Sequence, residues 1–258
     1  MAELPDLAVF AGILSRRFVG KTLKELNVKV TKKLNVPIAE LESAIVGKKL
    51  LAVTRYGKTL HFDFEGKNII QVHLMLRGEL VLLDQKQVRP KFEIVGLHFT
   101  GGEGFAVVDL LKQASTTLNP ETVTVPDALE MKFDYFQAVL AKRKKLLKEV
   151  LMDQKIMRGI GNSYADEILW HARISPFSIA NTLPAKAVKQ LFKSLVTVLE
   201  KAITEIAEEN GDELRGELRD FMKVHGAKIE KSPTGAAIKS EKIKGRTSYY
   251  THEQQLYT

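Results

Sequence analysis

The sequence predicts an α+β protein: an N-terminal β-sandwich with a leading helix, then a helical domain, then a C-terminal β-hairpin. Three observations carry this reading. The first 18 residues have helical apolar spacing. Short strand-like runs with turn signals follow to about residue 125. Helical periodicity then dominates, before a short, basic, β-prone tail. The expected domain boundaries are 1–126, 127–222 and 223–258.

In the leading helix, Leu7, Phe10, Ile13, Leu14 and Phe18 recur at helical spacing over residues 4–18. The strand-like runs are Leu23–Val30, Lys49–Arg55, Thr59–Phe64, Ile69–Leu74, Glu79–Leu83, Phe92–Phe99 and Phe105–Leu111. Gly57, Gly66, Gly78 and Gly101-Gly102 punctuate them, and many short strands with turn signals indicate a sandwich or barrel. Pro120 and Pro126 mark a linker. Helices are expected over Phe133–Ala141, Leu146–Met157, Ser163–Ala172 and Ala185–Glu208, with Gly211 to Gly216 as a break. In the tail, Lys244-Gly245 is the candidate turn between Ala237–Ile243 and Thr247–Thr251.

Hydrophobic residues make up 45% of the 258 and charged residues 27%, an ordinary soluble balance. No apolar run reaches the ~18 residues of a membrane span. The acidic Glu3 and Asp6 stand where a signal peptide would be basic. With no cysteine, disulfides and thiolate metal sites are excluded. A soluble cytoplasmic protein is the simplest expectation. The net charge of +8 and a pI near 9.4 favour a polyanionic partner, without separating nucleic acid from an anionic membrane surface. The cations are grouped at Lys142-Arg143-Lys144-Lys145 with Lys148, and at Lys239, Lys242, Lys244 and Arg246. Grouping suggests a binding stripe; a solvated helix face is the plain alternative.

The most informative stretch is Leu151 to Pro176. It reads as a helix ending in Gly159-Ile160-Gly161, followed by a second helix opening at Asn162-Ser163. Ser163 and Asp166 have capping-box spacing, and Asn162 is also a good N-cap. A polar helix start with free N–H groups suits a phosphate. That describes a helix–two-turn–helix phosphate clamp, with an ordinary helical hairpin as the alternative.

Asp153-Gln154, Gly159-Ile160-Gly161-Asn162 and Tyr164-Ala165-Asp166-Glu167 closely resemble the helix–two-turn–helix segment of formamidopyrimidine-DNA glycosylases and endonuclease VIII. Met1-Ala2-Glu3-Leu4-Pro5 is similar to that family's opening, and Arg55-Tyr56-Gly57-Lys58 and His73-Leu74 fall in family order. The resemblance implies a monomeric, nucleoid-associated bacterial protein whose partner is damaged DNA, held in a cleft between two lobes. It implies a base-excision-repair glycosylase with abasic-site lyase activity, removing oxidised or ring-opened bases through β,δ-elimination, with no cofactor.

Such chemistry needs a nucleophile at the sugar C1′, an acid or base, and extrusion of the nucleotide. The family's nucleophile is the amine exposed when Met1 is removed. Here that residue is Ala2, small enough for loss of Met1 to be expected. An α-amine with a pKa near ~8 keeps a useful neutral fraction. Glu3 matches the family's catalytic acid, although as a bare residue it reads as an exposed terminal carboxylate. Asp6 stands where the family commonly has Glu. Lys58 matches the lysine that contacts phosphates beside the lesion and assists β-elimination. Met75, Leu76 and Arg77 occupy the family's intercalation loop, where side chains fill the hole left by a flipped nucleotide. Asn162 matches a phosphate-contacting asparagine, with Arg143 and its lysine neighbours on the preceding helix.

Two departures stand out. Most members carry a four-cysteine zinc finger, and here Lys231, Thr234, Thr251 and Gln254 stand about where those cysteines should be. His225 and His252 alone are too few for a structural zinc site, so no metal is expected. Gly245-Arg246 followed by Thr247-Ser248-Tyr249-Tyr250 nevertheless resembles the finger tip, so Arg246 would keep the δ-elimination role on a zincless finger. Packing of Ile238, Ile243, Tyr249 and Tyr250 would hold that hairpin, more mobile off DNA without zinc's folding contribution. Second, Asp109-Leu110-Leu111-Lys112-Gln113-Ala114 replaces a family loop whose arginine and phenylalanine insert beside the orphaned base. That weakens any expectation that oxidised guanine opposite cytosine is favoured. The rival reading is a non-catalytic relative that clamps damaged DNA without cutting it, which the changes at Ala2, Asp6 and this loop favour. A ribosomal or topoisomerase-type protein sharing only the helix–two-turn–helix unit would not require the N-terminal matches.

Overall fold

The computed structural model describes residues 1–84 and 90–258. The chain divides into two compact units, residues 1–123 with 206–218, and residues 124–205 with 219–258. Among the described residues, no helix is long and apolar enough to cross a membrane.

The first unit opens with α1 (Leu4–Phe18), and Leu7, Phe10, Leu14 and Phe18 on one face enter the core. Each side chain of this kind contributes about 1.5–3 kcal/mol by leaving water. Two antiparallel four-stranded sheets follow. One has the order β1 (Leu23–Val28), β6 (Glu93–Phe99), β7 (Gly104–Val108), β5 (Glu79–Leu83). The other has the order β2 (Leu50–Tyr56), β3 (Thr59–Phe64), β4 (Asn68–His73), β8 (Ser115–Leu118). In β3 the alternation half-buried, buried along Thr59–Phe64 turns Leu60, Phe62 and Phe64 inward. Phe62 of one sheet stacks on Phe105 of the other with centroids 5.1 Å apart, and Phe18 stacks on Phe99 at 4.9 Å.

Two elements of this unit escape the sequence reading. The helix α2 (Ile38–Ile45) buries only Leu41 and Ile45, one i,i+4 pair and too little for periodicity to register. Strand β8 is Ser-Thr-Thr-Leu, whose strand character comes from pairing Ser115 with His73 and Leu118 with Ile70.

The second unit contains α3 (Phe133–Ala141), α4 (Leu147–Met152), α5 (Asn162–His171), most of α6 (Ala185–Asn210), and the hairpin β9 (Lys239–Ile243) with β10 (Arg246–Tyr250). The helix expected over Leu146–Met157 stops at Met152. Gln154 is the reason: its amide nitrogen donates to the carbonyls of Met152 (2.9 Å) and Ile160 (2.8 Å), and its oxygen accepts the Gly159 N–H (2.9 Å). One side chain thus satisfies the orphan groups of a two-turn connection that would otherwise continue as helix. The hairpin turn lies where expected. Lys244 (φ 47°) and Gly245 (φ 78°) both take the left-handed conformation that a two-residue type I′ turn demands.

Candidate active site and nucleic-acid interface

At the chain start, Glu3 is the N-cap of α1. Its carboxylate accepts the Asp6 backbone N–H, and the Asp6 carboxylate accepts the Glu3 N–H at 2.8 Å. This reciprocal capping box satisfies two donors that a helix start leaves without partners, and it assigns Asp6 a definite task. Glu3 is only 2% exposed and Asp6 is fully buried, so Glu3 is not the exposed terminal carboxylate that its position suggests. Beside it lies a cavity of about 410 Å³ lined by Met1, Ala2, Leu76, Arg77, Arg215 and Glu217 among others. The Met1 ammonium pairs with the Glu217 carboxylate. The segment around Arg215–Glu217 was read from sequence only as a break. It carries no periodic signal, and only the return of residues 206–218 to the first unit brings it to the chain start.

Two loops of this unit run side by side. Residues 74–78 join β4 to β5 and residues 109–114 join β7 to β8, while the registers pair His73 with Ser115 and Glu79 with Val108. Each loop therefore crosses from one sheet to the other at the same edge. The first is braced by Gly78, whose N–H donates to the Leu74 carbonyl at 2.9 Å. A Cβ at Gly78 would lie 2.2 Å from that oxygen, so only glycine fits. Met75 takes the left-handed conformation (φ 58°), and its N–H donates to His73 Nδ1 at 2.9 Å. The result is that Met75, Leu76 and Arg77 are presented to solvent. In the second loop the buried Asp109 carboxylate accepts from the N–H groups of Leu111 (2.9 Å), Gln113 (2.6 Å) and Ala114 (2.9 Å). Leu110 and Leu111 are thereby held out, 61% and 47% exposed.

Lys58 follows Gly57 (φ 58°) in the two-residue turn between β2 and β3. Its charge reaches His73, whose imidazole is held below its ordinary value first by burial and then by Lys58. Lys58 thus belongs with the base of the 74–78 loop.

In the second unit, α5 begins at Asn162 with Gly161 as its N-cap. The capping box expected between Ser163 and Asp166 does not form, because Asp166 is used elsewhere. Its carboxylate pairs with Lys148 Nζ (2.7 Å), accepts the Tyr249 N–H (3.0 Å) and meets His225 Nδ1 (2.7 Å). Tertiary partners outcompeted a local cap. Asn162 Nδ2 donates to the Thr247 carbonyl at 3.0 Å, which uses one of its two amide hydrogens and leaves the second for another acceptor. The neighbouring Glu167 accepts from the N–H groups of Lys223, Val224 and His225 at 2.8–3.1 Å. Burial pushes its carboxyl up, against the pull of those donors. Arg143 is exposed, but it lies in the connection after α3 rather than on a helix, with its carbonyl accepting the Asn181 N–H. Arg246, the first residue of β10, is also exposed and lines a cavity of about 260 Å³ with Lys145, Lys148, Glu149 and Lys244.

The zinc finger's place is taken by polar side chains. Thr234 and Thr251 both donate to Glu253 Oε2 (2.8 and 3.2 Å), and Arg173 pairs with the same oxygen at 2.8 Å. These contacts, Thr234's first, hold the Glu253 carboxyl below its ordinary value. Gln254 caps the Thr251 N–H (2.8 Å) and donates to the Ile174 carbonyl (2.8 Å). Lys231, Thr234, Thr251 and Gln254 offer no thiolate or imidazole, so these residues do not fit a zinc ion. Of the side chains expected to hold the hairpin, Ile243 is buried, while Ile238, Tyr249 and Tyr250 are half-buried. Tyr250 donates to Glu241, and its hydroxyl is pushed up to about 12, first by burial and then by this bond.

The formamidopyrimidine-DNA glycosylase N-terminal domain matches residues 1–115, and the H2TH domain of the same enzymes matches residues 123–211. The chain belongs to the formamidopyrimidine-DNA glycosylase family. It is 30% identical to the formamidopyrimidine-DNA glycosylase of Lactobacillus gasseri over the whole of both chains. It is 32% identical to that of Carboxydothermus hydrogenoformans over 88% of each. Its fold is similar to the crystal structure of a Fpg protein in complex with THF-DNA and an inhibitor, at TM-score 0.87, 25% identity, and 98% and 99% coverage of the two chains. It is similar also to Lactococcus lactis Fpg in complex with abasic-site DNA, at TM-score 0.86, 24% identity, and 97% and 98% coverage. Within this family frame, the residues expected from sequence fall into groups. Ala2, Leu76 and Arg77 share one cavity; Glu3 caps the helix beside it; Lys58 stands by His73. Asn162 meets the strand that Arg246 begins.

Proposed function

We propose that the chain is a bifunctional DNA glycosylase and abasic-site lyase of base-excision repair, acting on oxidised or ring-opened bases in a flipped nucleotide. The observation that carries this reading is the cavity at the chain start, whose lining includes Ala2, Leu76 and Arg77. A cavity of about 410 Å³ is of the size that takes a small ligand such as a single base.

On this reading Met1 is removed and the Ala2 amine attacks C1′ of the sugar, displacing the damaged base. The nitrogen then loses a proton and its lone pair forms the C1′=N bond as the C1′–O4′ bond breaks, which opens the sugar to a Schiff base and leaves the ring oxygen as a hydroxyl. Glu3 relays the proton to the ring oxygen that opens. Abstraction of a C2′ proton then expels the 3′ phosphate (β-elimination), with Lys58 binding phosphate beside the lesion. A second elimination expels the 5′ phosphate (δ-elimination), assisted by Arg246. Met75, Leu76 and Arg77 fill the vacated stack, which offsets an unstacking cost of a few kcal/mol. Arg143 and Asn162 hold phosphates through charge and the remaining amide hydrogen. The protein acts as a monomer.

Borohydride trapping on abasic-site DNA tests it, using protein whose mass shows that it begins at Ala2. A covalent adduct that disappears when the Ala2 amine is blocked is the expected result. No adduct from such protein overturns the lyase assignment.

A further inference from the structure

Four charged or polar side chains meet in the interior of the second unit, where α4, α5 and β10 come together. Lys148 is 1% exposed and Asp166 is 1% exposed. The Lys148 ammonium lies 2.7 Å from Asp166 Oδ1 and donates to Ser248 Oγ at 2.6 Å, with the Thr247 carbonyl at 3.5 Å. The other Asp166 oxygen accepts the Tyr249 backbone N–H and meets His225 Nδ1. Three consecutive residues of β10, Thr247 to Tyr249, are therefore fastened to two helices by one buried pair of opposite charges. Asn162 adds a fourth attachment through the Thr247 carbonyl.

Burial on this scale is costly unless each charge is met, and a well-packed apolar pair of the same volume would often be at least as stable. Stability is thus a poor reason for this arrangement. Its geometry supplies a better one. The strand so fastened begins at Arg246, one residue before Thr247, and Lys148 and Arg246 line the same small cavity. The turn before Arg246 is only two residues long, so the strand's attachment at 247–249 sets where the arginine emerges. The contacts are also directional: an ion pair, a hydroxyl and a backbone amide together fix both the position and the rotation of the strand. The zinc that orders this hairpin in most family members has no ligands here, so orientation must come from side chains.

We propose that Lys148 and Asp166 are positioning residues for Arg246, holding the start of β10 so that the guanidinium is presented to the DNA. The proposal rests on the δ-elimination role of Arg246 given above. It separates the protein's two eliminations. Base removal and β-elimination, which use Ala2, Glu3 and Lys58 of the first unit, do not depend on the buried pair, and δ-elimination does.

The test is the ratio of δ to β product on abasic-site duplex DNA, with single-turnover base excision and melting temperature measured alongside. The neutral double variant Lys148→Met with Asp166→Asn keeps the side-chain volumes and leaves no unpaired charge. It is expected to melt close to the parent and to excise base within two-fold of it. Its δ-to-β ratio is expected to fall at least five-fold, toward that of Arg246→Ala. A purely structural role would restore the ratio together with the melting temperature, so a parental ratio in the folded double variant overturns the proposal. If the double variant does not fold, Ser248→Ala carries the test, because it deletes only the hydroxyl contact to Lys148. It is expected to lower the ratio at least two-fold, and a parental ratio again overturns the proposal. Arg246→Ala is measured first. If it leaves the ratio unchanged, the reading of Arg246 fails on its own, and the positioning role falls with it.

Discussion

Asp109→Ala tests how the exposed leucine pair is held. The wild-type carboxylate accepts three backbone N–H groups, from Leu111, Gln113 and Ala114, and is itself 1% exposed. A bond from a neutral donor to a charged acceptor contributes about 1.5–3 kcal/mol, but water recovers part of that where the donor is near the surface. Leu111 and Gln113 are exposed, so their N–H groups can turn to solvent. Ala114 is 1% exposed, and its N–H would be stranded at a cost of about 1–3 kcal/mol. The expected loss is therefore about 2–4 kcal/mol, more than the single stranded donor and less than three full bonds. Asp109→Asn keeps one acceptor oxygen and loses the charge, so it should cost about half as much. Urea denaturation measures both, and an unchanged slope with denaturant would confirm that the unfolding reaction is the same. Single-turnover excision opposite each of the four bases then reads the consequence for function. Release of Leu110 and Leu111 should slow excision without changing the order of preference among the opposite bases. A loss below about 1 kcal/mol for Asp109→Ala, or equal losses for Ala and Asn, would refute the reasoning, because the carboxylate would not then be bracing the loop.

Gly78→Ala places a methyl 2.2 Å from the Leu74 carbonyl oxygen, so the 74–78 loop must open. Binding to an abasic analogue should weaken at least ten-fold with a stability loss of about 1–3 kcal/mol, and parental binding by titration would refute it. His73 carries a pH prediction. Its folded-state value lies below the ordinary imidazole value, so the folded state binds fewer protons than the unfolded one just below pH ~6.5, and stability falls as pH drops through that range. Lys58→Met removes one of the two causes and should move the His73 NMR titration upward, whereas an unmoved titration would place Lys58 away from the loop. Exhaustive treatment with a strong chelator should leave excision, both eliminations and the melting temperature unchanged, since Thr234, Thr251, Glu253 and Arg173 hold the C-terminal segment together. Loss of activity that zinc restores would overturn the zincless reading.

The expected residues were legible where local chemistry and contact coincide. The Lys244-Gly245 turn followed from dipeptide preference, and the structure shows both residues at positive φ. The motif around Gly159 to Glu167 was recognisable because its glycines and polar residues are needed at fixed offsets. Its internal wiring was not legible. Ser163 and Asp166 have the spacing of a cap, but local spacing cannot show that Lys148, 18 positions back, and Tyr249, 83 positions on, compete for the same carboxylate. Glu3 looked exposed because a chain start usually is, whereas in the structure it is the buried N-cap of α1, tied to Asp6 by the capping box.

By itself the sequence determined the succession of sandwich, helical region and hairpin, the family, the basic character and the absence of any thiolate for zinc, since each is a matter of residue type and short-range spacing. Tertiary structure alone decided which carboxylate caps, which one clamps, and which loops share an edge. Those outcomes depend on contacts between residues far apart in the chain, and the free energy of a buried charge is set by its neighbours in space rather than in sequence.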